Sequence, residues 1–215
     1  MSITVIGNIK GGVGKTTIAV NLAMLSSLNK NTVLLVDADE QESASDFTAI
    51  RNEKTNGQAG YTCVSLRGRA VRTETIELSK RYDNTFIDVG GRNTDSIRAA
   101  LTIAEVLLVP FLPTSLDLWG LEHINQLLEE ALIYNPNLLA YCFLNRADAV
   151  GSDNAESAEI ARAITNLTYI DISLGNRKAF RNAITEGVCV VEYKPKDDKA
   201  VTEIQELYQF LFRDN

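Results

Sequence analysis

Near its start the chain runs Ile3-Thr4-Val5-Ile6, then Gly7-Asn8-Ile9, then Lys10-Gly11-Gly12-Val13-Gly14-Lys15-Thr16-Thr17, then Ile18-Ala19-Val20. Strand-like residues, a glycine-rich turn and the apolar start of a helix follow one another without a gap. Glycines let successive backbone N–H groups curl toward an anion with no Cβ in the way. A helix N-terminus adds partial positive charge at the same point. Residues Gly11, Gly12, Val13 and Gly14 therefore read as a phosphate cradle. Lys15 is placed to reach the β- and γ-phosphates, Thr16 to ligate Mg²⁺ through its hydroxyl, and Thr17 to donate to the α-phosphate. The expected ligand is a nucleoside triphosphate with magnesium.

The rest of the chain continues this alternation. Short apolar runs predict strands over 3–7, 32–37, 85–88, 106–111 and 139–144. Longer amphipathic stretches predict helices over 15–27, 42–51, 69–81, 94–104, 115–134, 153–165, 178–185 and 201–212. Near-continuous apolar strands separated by helices imply an α/β fold, a doubly wound, mostly parallel sheet flanked by helices. With 215 residues and no linker-like or repeated stretch, a single domain over 1–215 is expected. Ligands of such sheets sit beyond the C-terminal strand ends, so chemical motifs should fall there.

Several function classes are excluded by what is scarce. His123 is the only histidine, which argues against a His-rich metal site or a Ser-His-Asp hydrolase. Cys63, Cys142 and Cys189 are widely spaced and read as reduced thiols of a cytoplasmic protein. Apolar runs such as Val106-Leu107-Leu108-Val109 are too short to span a bilayer, and Ile3-Thr4-Val5-Ile6 is not preceded by a signal-like basic segment. A net charge of −7 disfavours a wholly basic nucleic-acid surface but allows a local patch.

Two acidic segments meet the strand-end expectation. Val33-Leu34-Leu35-Val36 ends in Asp37-Ala38-Asp39-Glu40-Gln41, and Thr85-Phe86-Ile87 ends in Asp88-Val89-Gly90-Gly91. In the glycine-rich loop, the usual first glycine position is occupied by Ile9 and a second lysine, Lys10, follows. This KGGxGKT form, with the DxDxQ and second acidic segments, resembles the ParA/MinD family of deviant Walker A ATPases, closest to small plasmid-type ParA proteins. The resemblance implies a weak ATP hydrolase, stimulated by a partner, in which Lys10 reaches across an ATP-bound homodimer to the partner's phosphates. It implies that Asp37 and Asp88 hold Mg²⁺, largely through water, and that Asp39 positions the attacking water. The family commonly has Pro where Glu40 stands, which leaves the loop after Asp39 open.

The family's base-contacting Asn corresponds to Asn145. The run Asn145-Arg146-Ala147-Asp148 is also similar to the guanine-reading NKxD motif, which keeps GTP as an alternative. Ser115 reads as the N-cap of a long helix that borders the dimer interface in the family, with Trp119 expected in the core. The resemblance further implies non-specific binding to nucleoid DNA, for which Arg177, Lys178 and Arg181 are the candidates, with Lys194, Lys196 and Lys199 adding to the field. The final apolar stripe, Val201, Ile204, Leu207, Tyr208, Leu211 and Phe212, has an acidic polar face and is expected to pack in the core rather than on a membrane. With the loop starting at Lys10, operator-specific repression by this chain alone is not expected. The leading expectation is plasmid partition, with a ParB-like or adaptor protein stimulating hydrolysis. The alternatives are positioning of a protein cargo such as carboxysomes or chemoreceptor clusters, a MinD-like membrane regulator, and a P-loop enzyme acting on a small molecule.

Overall fold

The computed structural model describes residues 2–91 and 94–212. In chain order the elements are β1 (Ser2–Ile6), α1 (Lys15–Leu28), β2 (Val33–Ala38), α2 (Ser43–Lys54), β3 (Thr62–Ser65), α3 (Ala70–Ser79), β4 (Asn84–Val89), α4 (Thr94–Leu101), β5 (Val106–Phe111), α5 (Ser115–Tyr134), β6 (Leu139–Ala147), α6 (Asp153–Arg162), β7 (Thr168–Tyr169), β8 (Leu174–Gly175), α7 (Lys178–Thr185) and α8 (Asp198–Leu211). The strands form one sheet in the order β3-β2-β4-β1-β5-β6-β7, with β8 paired to β6. Every pairing among the described residues is parallel.

Strict alternation along each strand divides the interior into two cores. Ile3, Val5, Leu34, Val36, Ile87, Leu107 and Val109 face the layer that contains α3, α4, α5 and α6. Ile6, Val33, Leu35, Phe86, Leu108 and Phe143 face α1, α2, α7 and α8. Because both faces are covered, the central strands are apolar throughout, and this is why they read as continuous runs. As expected, Ile204 and Leu207 of α8 are fully buried in the second core.

Strand order puts the chemistry in one place. β2, β4 and β1 are neighbours, and the register sets Asp37 beside Asp88 and Asp88 beside Ile6. Both acidic strand ends therefore stand next to the loop that leaves β1. The expected elements are present, with differences. The two-residue strands β7 and β8 were not expected and are too short to show a pattern. β3 is an additional edge strand, Thr62-Cys63-Val64-Ser65, exposed at both ends and too polar to stand out. β6 runs on to Ala147, so Asn145 lies within a strand and not beyond it. The cap of α5 is Thr114, which accepts the Asp117 N–H, and Ser115 is the first helical residue.

Candidate nucleotide site

The loop after β1 is held open by its own geometry. Gly12 and Gly14 adopt φ of +77° and +91°, the left-handed region that a side chain disfavours. Gly14 is the residue from which α1 starts, so the free N–H groups of the first turn face the loop. Asn8, fully buried, braces the loop from inside. Its amide donates to the Pro110 carbonyl of β5 at 2.8 Å and accepts the Lys10 N–H at 3.0 Å. Sequence reading passed over Asn8; the signal was an amide residue two positions before Lys10, the spacing of an Asx turn.

Lys15 is buried and donates through Nζ to the Lys10 carbonyl at 2.7 Å. Burial draws its ammonium below the ordinary value, while Asp88 and Asp39 act in the opposite sense. Asp88 is fully buried, and among the described residues neither carboxylate oxygen has a well-formed hydrogen-bond partner. Burial pushes its carboxyl up to about 7; the nearby Thr16 hydroxyl pulls it down, Asp37 adds to the rise, and Lys15 opposes it. A buried carboxylate with so little hydrogen bonding suits a cation ligand. The set Thr16, Asp88 and Asp37 has the hard oxygen donors that Mg²⁺ takes, with phosphates and water completing its shell. Among the described residues, no cluster of three or more His, Cys, Asp or Glu side chains is arranged as a metal site.

The two carboxylates of the pair are not equivalent. Asp37 is fully engaged with protein. One oxygen accepts the Asp39 N–H at 3.2 Å, and the other accepts both the N–H and the hydroxyl of Ser45 at 2.8 Å each. Asp37 thus ties the start of α2 to β2, and Asp88 is the carboxylate with free valence. Asp39 is half-buried and its carboxylate lies over Gly90, where a Cβ would come within 2.6 Å of it. A Cβ on Gly91 would stand 2.4 Å from the Ile9 carbonyl oxygen, so this second glycine lets the β4 loop rest on the phosphate loop. The turn after Asp39 closes with the Glu42 N–H on the Asp39 carbonyl at 3.0 Å, and Glu42 itself takes φ of +53°.

Beside Gly14, Thr17 and Ile18 opens a cavity of about 460 Å³. Asn145, Arg146, Leu174, Gly175, Asn176, Arg177, Lys178, Phe180, Arg181 and Ile204 complete its wall. Asn145 is buried and donates to the Val13 carbonyl at 2.6 Å, so it braces the loop as well as lining the cavity. Arg146 sits at a register shift between β6 and β8 with φ of +51°, a conformation the sequence did not announce. Strain of that kind is kept where surrounding structure demands it.

The expected basic patch is corrected at one position. Arg177 precedes α7 in extended conformation, and its guanidinium is held by Glu203 of α8 through Nε at 2.9 Å. It is therefore neither free nor on the same helical face as Arg181. Lys178 and Arg181 are exposed and stand at the mouth of the cavity. Lys10 lies with its stem against Gly120 of α5, where a Cβ would be 3.0 Å from Lys10 Cγ. The neighbouring Trp119, expected in the core, is 64% exposed; the buried stripe of α5 is Leu118, Leu121, Ile124 and Leu128, and Trp119 falls out of phase with it. Cys63, Cys142 and Cys189 are free thiols. No helix among the described residues is long and apolar enough to cross a membrane.

These features have counterparts among known proteins. Residues 4–190 match the family described as the CobQ/CobB/MinD/ParA nucleotide binding domain. The maintenance of carboxysome distribution protein A of Halothiobacillus neapolitanus is 27% identical over 205 residues, covering 94% of this chain and 92% of that protein. Its namesake in Gloeobacter kilaueensis is 28% identical over 192 residues, covering 88% and 84%. Among solved structures, an Asp-to-Ala variant of Cyanothece McdA in complex with ATP superposes with a TM-score of 0.76 at 18% identity, covering 98% and 95% of the two chains. Cobyrinic acid a,c-diamide synthase from Mycobacterium smegmatis, with an ATP analogue and magnesium, gives 0.80 at 18%, covering 99% and 94%. ATP and Mg²⁺ are the cofactors to which loop and relatives both point. The match spans most of the chain, including the loop and both acidic strand ends, and the protein belongs to the CobQ/CobB/MinD/ParA family of nucleotide-binding domains.

Proposed function

We propose that this chain is a ParA-like ATPase that dimerises around ATP, holds non-specifically to nucleoid DNA and positions a protein cargo of the carboxysome kind. The near end-to-end similarity to two carboxysome distribution proteins carries the choice of cargo, and it favours that reading over plasmid partition. The site supports the chemistry. Gly11 to Gly14 and the first turn of α1 cradle the phosphates, and Lys15 meets their charge once released from the Lys10 carbonyl. Thr16 and Asp88 hold the metal, and Asp37 contributes through water; Mg²⁺ when bound neutralises charge on the β- and γ-phosphates. Asp39, resting on Gly90, orients the attacking water, and positioning rather than full proton abstraction suits a carboxylate in this company. Lys10, lying on α5 without a carboxylate partner among the described residues, is the cation offered to a second subunit's nucleotide. Asn145 and the wall of the adjoining cavity take the base. Lys178 and Arg181 are the remaining candidates for DNA phosphates, and an adaptor protein on the cargo triggers hydrolysis.

The deciding experiment is deletion in a carboxysome-bearing cell, scored by fluorescence microscopy of the shell. Clustered or unevenly inherited carboxysomes are the expected result. Normal spacing together with loss of a plasmid would return the assignment to partition.

A further inference from the structure

One wall of the cavity beside the phosphate loop is a short segment, residues 174–177, made of β8 and the two residues that lead into α7. β8 is two residues long and pairs with a single strand, β6, among the described residues. Its Leu174 is buried in the second core, against the side of the sheet that α8 covers. Within the segment the Arg177 N–H closes on the Gly175 carbonyl at 2.8 Å, and the Asn176 N–H reaches back to the Ala147 carbonyl at 3.1 Å. The more exposed half of the segment, from Gly175 onward, is tied down by one side chain elsewhere in the sequence. Glu203 of α8 accepts the Gly175 N–H at 3.0 Å and the Arg177 Nε at 2.9 Å, and Arg177 Nη2 closes the fork. The guanidinium lies flat over Gly175, where a Cβ would come within 3.2 Å of it. Both side chains are mostly shielded, at 27% and 18% exposure for Arg177 and Glu203. Charge-assisted, forked bonds of this kind fix orientation as well as adding energy.

Two alternatives for this carboxylate are weaker. It is not a surface pair of the ordinary sort, because it binds backbone and guanidinium together. It is not a ligand-contacting group, because its oxygens are taken by the segment itself and it does not line the cavity, whereas Arg177, Gly175 and the neighbouring Ile204 do. Its effect on a bound molecule has to pass through the wall that it holds.

We propose that Glu203 is a positioning residue for nucleotide-base binding: through Arg177 and the Gly175 N–H it sets the 174–177 wall at the distance from Asn145 and Ile18 that a purine requires. The inference rests on reading the cavity as the base site of an ATP-binding protein. It separates the two halves of the ligand. The triphosphate is held by the β1–α1 loop, which Glu203 does not touch; the base is held by a wall anchored to α8. Removing Glu203 therefore loosens recognition of the base and leaves recognition of the phosphates intact.

The test measures equilibrium binding of fluorescent ATP and GTP analogues with Mg²⁺, and competition by inorganic tripolyphosphate, for the full chain and for Glu203→Ala, Glu203→Gln and Arg177→Ala. Loss of two charge-assisted contacts predicts that Glu203→Ala weakens the ATP analogue by about tenfold and narrows the ATP-to-GTP ratio. Tripolyphosphate affinity and the turnover number at saturating ATP stay within about twofold, since phosphate contacts are unchanged. Glu203→Gln, which still accepts the Gly175 N–H, falls between. Unaltered ATP affinity and base selectivity in Glu203→Ala would overturn the proposal, as would an equal loss of tripolyphosphate binding, which marks general disorder of α8. If the unmodified chain binds tripolyphosphate but shows no added affinity for either nucleotide, the base-site reading itself falls and takes the proposal with it.

Discussion

Asp88 is the residue on which most of the site's energetics turns. A carboxyl that ionises at 3.8 when solvated is pushed up to about 7 by burial in the folded chain. Between those values the folded state holds a proton that the unfolded state has released, so rising pH drains stability from the nucleotide-free protein across that window. Above about 7 the cost is complete. Asp88→Asn removes it, and the stability gain of this variant over the parent should grow from pH 4 to 7 and then level at a few kcal/mol, read by urea melts without nucleotide. Magnesium-dependent ATP binding should be lost in the same variant. Asp39 predicts a different pattern. Asp39→Ala keeps ATP binding but slows hydrolysis at least about tenfold, because the water loses its orienting group; single-turnover phosphate release measures it, and unchanged turnover would remove Asp39 from its assigned role.

At the scale of elements, α2 is anchored at both ends. Asp37 fixes its start through Ser45, and near its end Arg51, 4% exposed, donates to the Ala59 and Gly187 carbonyls and forks onto Glu192. Half-burial pushes the Glu192 carboxyl up, yet the bonds from Arg51 and the Cys189 N–H outweigh it and hold the group below the ordinary glutamate value. That contribution is present at neutral pH and is lost as pH falls through the depressed value. Glu192→Ala leaves a buried guanidinium without its counter-charge and should cost about 3 kcal/mol in a denaturant melt. None of this was legible in the sequence: Arg51 and Glu192 are far apart in the chain, and each reads alone as a solvated charge. The loop, α1 and the two acidic strand ends were legible because their chemistry is local. Strand order, which sets Asp37 beside Asp88, was not read from the sequence, because pairing between distant strands leaves no local signal. The edge strand β3 was missed because its outward positions are polar, and Trp119 was misplaced because one residue off the buried stripe turns a helical side chain by about 100°, out of the core.

At the scale of the whole molecule, an acidic chain is expected to bind an acidic polymer. Phosphate contact requires only a few cations on one face, and binding of that kind weakens steeply with salt. Lys178→Ala with Arg181→Ala should lower the affinity of the ATP-bound protein for arbitrary duplex DNA and flatten the salt dependence, measured by anisotropy. Absence of any binding by the parent chain at low salt would remove DNA from the proposed cycle. Arg177→Ala should leave the salt slope unchanged, since Glu203 already takes its charge. The same face carries the cavity mouth, so the nucleotide and the DNA are expected to be read by adjoining surfaces of α7.

Trp119 gives the molecule an optical handle. It is the only tryptophan in the chain, largely open to water, and one residue from the glycine on which Lys10 lies. An indole in water emits toward the red, and one covered by protein emits toward the blue. If two copies close over Lys10, the emission maximum of Asp39→Ala should shift blue on adding ATP and Mg²⁺, by an amount that rises with protein concentration and then saturates, with no label attached. A maximum that stays fixed while light scattering reports a dimer would place the seam on another face of the sheet.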